Sequence, residues 1–131
     1  GVPIDLSLVK TPSFFQATKE DHIAPYSSVF KAMNIFSGPK TFALAGSGHI
    51  AGIVNHPSKG KYQFWENNRR KRYTNADAWL EDATEVPGSW WPSWHRWNAK
   101  NSGPKVEARI PGSGGLSVLE PAPGSYVKVK S

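Results

Sequence analysis

Two short motifs carry the residues able to do acid–base chemistry: Glu20-Asp21-His22-Ile23-Ala24-Pro25 and Gly46-Ser47-Gly48-His49-Ile50-Ala51-Gly52. A carboxylate beside an imidazole is the pair that activates a nucleophile. The carboxylate fixes the ring tautomer and stabilises its charged form, and the ring accepts the proton of the attacking group. Asp21 and His49 are the candidates for those two roles. His22 adjoins Asp21 and is a candidate supporting residue, although a histidine there more often holds the loop. The chain has no cysteine, and so no Cys nucleophile, and it lacks the strand–turn–helix elbow on which a nucleophile would sit. The absence of cysteine also excludes disulfides and thiolate metal sites. The sequence therefore reads as the back end of an enzyme.

The elements that must position the pair come next. Residues 13–18 form a short apolar run that reads as a buried strand. Pro25 opens a helix in which Val29, Phe30, Met33 and Phe36 fall on one face, and Gly38-Pro39 ends it. Residues 41–46 are a second apolar strand. Strand, helix and strand make one βαβ unit with parallel strands and a right-handed crossover. Asp21 and His49 each follow a strand by three residues, so both loops leave the same edge of the sheet, where open α/β sheets bind ligands. Gly46 and Gly48 are expected to take the backbone angles that let the chain turn and point the imidazole outward. Taken singly, an Asp after a strand is more often a turn former or helix cap, and a His in a glycine-rich loop more often structural; the paired placement favours chemistry.

One βαβ unit cannot bury both faces of a parallel sheet. Further strands are expected from elsewhere in a longer polypeptide, and the opening on Gly1 with a strand-like approach at residues 4–9 fits such a cut. The remainder divides into three parts. Residues 1–60 are the expected end of the catalytic core with its Asp and His loops. Residues 61–101 combine an extended piece (61–66), a basic turn (68–73), a helix over 75–85 and a second helix opened by Gly88-Ser89-Trp90-Trp91-Pro92. Residues 102–131 are a Gly/Pro/Ser-rich loop and a tail with two small extended runs. Net charge is +6, hydrophobic residues are 38%, and 12 Gly and 11 Pro indicate a loop-rich domain. There is no signal peptide pattern, membrane-length apolar run, internal repeat or glycine-rich phosphate loop. The four His lack metal-ligand spacing, so no metal and no cofactor is expected. The run Arg69-Arg70-Lys71-Arg72 reads as a solvated loop rather than a phosphate or nucleic-acid site.

The two motifs, with Ser37-Gly38-Pro39, Gly88-Ser89-Trp90-Trp91-Pro92-Ser93-Trp94 and Glu120-Pro121-Ala122-Pro123-Gly124-Ser125-Tyr126-Val127-Lys128, closely resemble the C-terminal catalytic region of class I polyhydroxyalkanoate synthases. The resemblance runs in order from Ile4 to Lys130. It implies the C-terminal portion of an α/β-hydrolase-type fold, one βαβ unit plus Trp-rich helices, lacking the nucleophile half. In such folds the chain order is nucleophile, acid, His. It implies polymerisation of (R)-3-hydroxyacyl-CoA into polyester with release of CoA, by a Cys-His-Asp triad. His49 matches the general base. Asp21 matches the carboxylate that either orients His49 or helps deprotonate the 3-hydroxyl, and the residues leave both roles open. The resemblance also implies an upstream segment carrying the cysteine, a homodimer when complete, a cytoplasmic location at the polyester granule surface and no nucleic-acid partner. The chain alone should be inactive. Tyr26 stands where the family often has Trp, Ser93 where Asp is common, and His56-Pro57 where paired prolines are expected. Trp90, Trp91, Trp94 and Trp97 are expected to pack a small subdomain core rather than to bind polyester. Two other readings are a fragment of a Ser-dependent ester hydrolase and a non-catalytic basic, Trp-rich binding module.

Overall fold

A computed structural model describes residues 1–130; Ser131, the end of the expected tail, lies outside the described residues. Four strands, β1 (Ser13–Thr18), β2 (Lys40–Ala45), β3 (Gln63–Glu66) and β4 (Thr84–Pro87), form one mixed sheet in sequence order. β1 and β2 run parallel, in register from Ser13 opposite Lys40 to Thr18 opposite Ala45. The other two pairings are antiparallel.

β2 lies between β1 and β3, and its residues from Phe42 to Ala45 are all buried. Side chains alternate across a strand, so one face carries Phe42 and Leu44. Both belong to the core, with Ala17, Phe30, Trp65, Tyr73, Ala76 and Trp79. Phe42 meets Phe30 and Trp79 edge-on, with ring centroids 5.1 and 4.9 Å apart. The other face carries Phe14 on β1, which packs on Trp90 and Trp97 at 6.1 and 5.6 Å. Those rings belong to the longest helix, α4 (Trp91–Asn101), and its N-terminal flank.

The crossover expected as one helix is two short ones, α1 (Tyr26–Val29) and α2 (Ala32–Ile35). The amides of Lys31, Met33 and Asn34 bond to carbonyls three residues back. Such tight turns eclipse residues i and i+3. Phe30, Met33 and Phe36 thereby share a face: Phe30 is buried, Met33 packs against the core, and Phe36 meets Phe15 at 5.3 Å.

Other expectations are corrected. The helix over 75–85 is only α3 (Ala76–Glu81), capped by the Asn75 side chain, which accepts from the Ala78 amide. Its last two expected residues, Thr84 and Glu85, belong to β4 because β3 offers an open edge to the β-branched Thr84 and Val86, and Pro87 ends the pairing. Residues 4–9 hold a 3-10 turn at Leu6–Leu8, capped by Asp5, rather than a strand approach. Among the described residues the tail forms no extended runs and has one 3-10 turn, Ser125–Lys128. The tryptophans of the 90–97 region do not make a core. Trp90, Trp91 and Trp97 are half-buried and Trp94 is exposed, because they cover an open sheet face; the buried indoles are Trp65 and Trp79. Among the described residues no helix is long and apolar enough to cross a membrane.

Candidate active site

β1 delivers Asp21 and β2 delivers His49, and the parallel ladder extends past the strand ends to do so. The Lys19 amide donates to the Ala45 carbonyl at 2.8 Å and the Glu20 amide to the Ser47 carbonyl at 3.1 Å. The two loops therefore leave the sheet side by side. Their side chains meet: His49 Nδ1 lies 2.7 Å from Asp21 Oδ2.

The Asp21 carboxylate is held at both oxygens. Oδ1 accepts from the amides of Ile23 and Ala24, each at 2.9 Å. Oδ2 accepts from His49 and, at 3.4 Å, from the buried Thr18 hydroxyl. An ionised carboxylate has about four lone-pair sites; three are used at ordinary hydrogen-bond distance, and the Thr18 hydroxyl stands at long range from Oδ2. Its side chain is only 4% exposed. The Ala24 amide is the main reason its pKa falls from 3.8 to about 2; burial opposes, and His49 and the Ile23 amide add to the fall. The carboxylate is an acceptor only, so His49 Nδ1 carries the proton. In the neutral ring that leaves Nε2 as the base. The His49 side chain is 45% exposed, and among the described residues nothing is hydrogen-bonded to Nε2.

The loop that carries His49 obtains its shape differently from the expectation. Neither Gly46 nor Gly48 is left-handed; Ser47 is, with φ 72°. The glycine that geometry demands is Gly52. A Cβ there would lie 2.4 Å from the Gly46 carbonyl oxygen and 2.5 Å from Thr18 Cγ2. The Gly52 amide closes the turn by donating to the Gly48 carbonyl at 3.1 Å, and the Gly46 amide ties the other end to Gln63 of β3 at 2.8 Å.

His22 is exposed, and no hydrogen bond joins it to Asp21 or His49. Sequence reasoning missed Thr18, Ser47 and Gly52. Thr18, the last residue of β1 and three before Asp21, was the most readable of these, because a hydroxyl three residues from a carboxylate in a turn is within bonding reach. A cavity of about 650 Å³ opens elsewhere, at the start of β2, between apolar Phe30, Met33 and Phe36 and the cations Lys40 and Arg70. The basic run edges it, and Arg69 and Lys71 are paired with Asp82 at 3.0 and 2.9 Å. Among the described residues no three of His, Asp and Glu gather as metal ligands would.

A parallel strand pair that presents a buried carboxylate and an outward imidazole in contact at one sheet edge is an arrangement suited to acid–base chemistry. Comparison with curated proteins gives the particular family: the chain belongs to the poly(3-hydroxyalkanoate) polymerases. It is 50% identical over 127 residues to the poly(3-hydroxyalkanoate) polymerase subunit PhaC of Rhizobium etli, covering 97% of this chain and 20% of that protein. It is 49% identical over 133 residues to the polymerase of Methylorubrum extorquens, covering all of this chain and 22% of the relative. The PhaC subunit of Cupriavidus necator is 38% identical over 132 residues, with the same coverage. The chain thus spans about a fifth of the length of the curated relatives it matches. No family model matches it.

Proposed function

We propose that this chain is the C-terminal catalytic part of a class I polyhydroxyalkanoate synthase with an α/β-hydrolase-type core, and that Asp21 and His49 serve a cysteine carried elsewhere in the same polypeptide. In the first step His49 Nε2 takes the thiol proton, and the thiolate attacks the thioester carbonyl of (R)-3-hydroxyacyl-CoA. The carbonyl–sulfur bond to CoA breaks, and the imidazolium returns the proton to the leaving thiolate. In the second step His49 takes the proton of a 3-hydroxyl, whose oxygen attacks an acyl-cysteine carbonyl. An ester bond forms, the acyl–cysteine bond breaks, and the cysteine sulfur is reprotonated. No cofactor is required. Without a cysteine the chain alone performs neither step.

The observation that carries this reading is the 2.7 Å contact between His49 Nδ1 and a buried carboxylate that also accepts from two backbone amides. Those bonds also favour one role for Asp21. With its side chain only 4% exposed and three ordinary hydrogen bonds accepted, it has little access to a substrate hydroxyl, and it orients His49 and steadies its charged form. The family relation supports work on a polyester product; the reading further places the complete protein as a homodimer in the cytoplasm at the granule surface. The test is His49→Ala in the complete polypeptide, with acylation of the cysteine by (R)-3-hydroxybutyryl-CoA read by mass spectrometry. Acylation should slow by about 10³-fold or more. Acylation at the parent rate would refute the assignment.

A further inference from the structure

The His49 loop is gripped from outside the βαβ unit. The Trp90 indole Nε1–H donates to the carbonyls of Gly52 at 3.1 Å and Ile53 at 3.2 Å, and the Trp91 indole Nε1–H donates to the Ile53 carbonyl at 2.9 Å. These carbonyls lie at the C-terminal end of the turn in which His49 sits, a turn held internally by the Gly52 amide on the Gly48 carbonyl and the Val54 amide on the Ile50 carbonyl. One end of the loop is therefore tied to β3 through Gly46, and the other is tied to the start of α4 by two indoles. Trp90 reaches the second arm as well. Its ring stacks on Phe14 of β1, the strand that leads to Asp21, with a 25° interplanar angle.

We propose that Trp90 and Trp91 are positioning residues for the acid–base pair: their indole N–H groups set the height of the His49 loop so that Nδ1 meets Asp21. The role in turnover rests on the proposed reaction; the role in geometry does not. Several observations separate this from general packing. The core lies on the opposite sheet face and uses Trp65 and Trp79. The first turn of α4 is held independently, by Ser89 Oγ accepting from the Trp91 amide at 3.1 Å. The side of α4 is held by Ser93 Oγ donating to Glu66 at 2.8 Å. Removing the two indole donors while keeping aromatic rings should leave the fold intact and free the loop. Freed carbonyls are solvated by water, so the loop relaxes away from the position that the 2.7 Å contact requires.

The experiment uses the complete polypeptide labelled with 15N-histidine, in which long-range proton–nitrogen correlations, assigned by their loss in His49→Ala, report the His49 tautomer. The parent should show the Nδ1–H form. In the Trp90→Phe, Trp91→Phe double variant the Nε2–H form should rise about fivefold or more, the effect of losing hydrogen bonds of ordinary strength. Trp94→Phe, whose ring packs on Trp90 without bonding the loop, should leave the tautomer unchanged. Each single variant keeps one anchor and carries the same test if the double variant does not fold. A parent-like tautomer in the Phe variants overturns the proposal. In the complete polypeptide the double variant should lose about tenfold in kcat with KM within about twofold, as expected for a misplaced base. If the tautomer shifts while His49→Ala leaves turnover intact, the proposed reaction fails and the positioning role stands.

Discussion

Replacing Gly52 by Ala tests how tightly the Asp21 and His49 loops are locked together. The added Cβ would sit 2.4 Å from the Gly46 carbonyl oxygen and 2.5 Å from Thr18 Cγ2. Ordinary contact requires a retreat of about 1 Å. Neither neighbour can yield easily. Gly46 is hydrogen-bonded to β3 through Gln63, and Thr18 is fully buried in the strand pair. The 48–54 turn must move instead, and it carries His49. Overpacking of this kind costs about 1–3 kcal/mol. It should appear as a lower denaturant midpoint at unchanged slope. A shift of about 1 Å also takes the 2.7 Å His49–Asp21 contact beyond hydrogen-bond range, which in the complete polypeptide should cost about 100-fold in turnover. Gly103→Ala is the control, since a Cβ there meets nothing within 4 Å. If Gly52→Ala stays within about 0.5 kcal/mol of the parent and keeps its Nδ1–H tautomer, the close-approach argument is wrong.

Acid should weaken the fold in part through Asp21. Its folded pKa is depressed to about 2 from 3.8, so its contribution is present above the unfolded value and is lost as pH falls from there through about 2. Asp5, Asp82 and Glu120 are lowered as well, so the Asp21 share is isolated by comparing denaturation midpoints with Asp21→Asn, whose acid dependence should be shallower. Trp79→Ala should cost about 3–5 kcal/mol by emptying the junction with Phe42 and Phe30, whereas Trp94→Ala on the exposed side should cost far less in the same denaturant titration. Ser93→Asp should loosen α4 by about 1 kcal/mol, because an ionised Asp cannot donate to Glu66; Glu66→Gln, able to donate, should restore the midpoint.

The parallel pair was legible because its pattern is local. Two apolar runs separated by a Pro-opened, Gly-Pro-closed crossover admit few arrangements, and β1 matches the expected residues while β2 begins one residue earlier. β4 was not legible. Residues 84–87 continue the helical spacing of Trp79, Leu80 and Ala83, and only the open edge of β3 makes extension the better choice. The role of the α4 tryptophans was hidden for the same reason: their partners, Phe14 and the carbonyls of Gly52 and Ile53, lie far away in the chain. The glycine-rich loop misled in its details. Glycine suggests left-handed backbone, yet Ser47 takes that conformation and Gly52 is required for contact distance instead.

In the sequence, Asp21 posed a choice between turn former and acid; in the structure the two readings are compatible, since a carboxylate has two oxygens and here they take different partners. Oδ1 holds the amides of Ile23 and Ala24, fixing the turn that leads into Pro25 and α1. Oδ2 faces His49. The turn-forming bonds are what keep the group ionised, because the Ala24 amide is the largest contributor to its lowered pKa. They also fix its rotamer, so that Oδ2 can point nowhere but toward His49 and Thr18. An Asp that lacked those amides would be free to rotate and easier to protonate, and would orient an imidazole less well. The structural role is thus a condition of the chemical one, and an Ala24→Pro variant, which deletes one donor while leaving the carboxylate in place, should raise the Asp21 pKa and weaken the His49 Nδ1–H tautomer together. If carboxyl and imidazole NMR titrations of that variant moved independently, the two functions of Asp21 would have to be uncoupled.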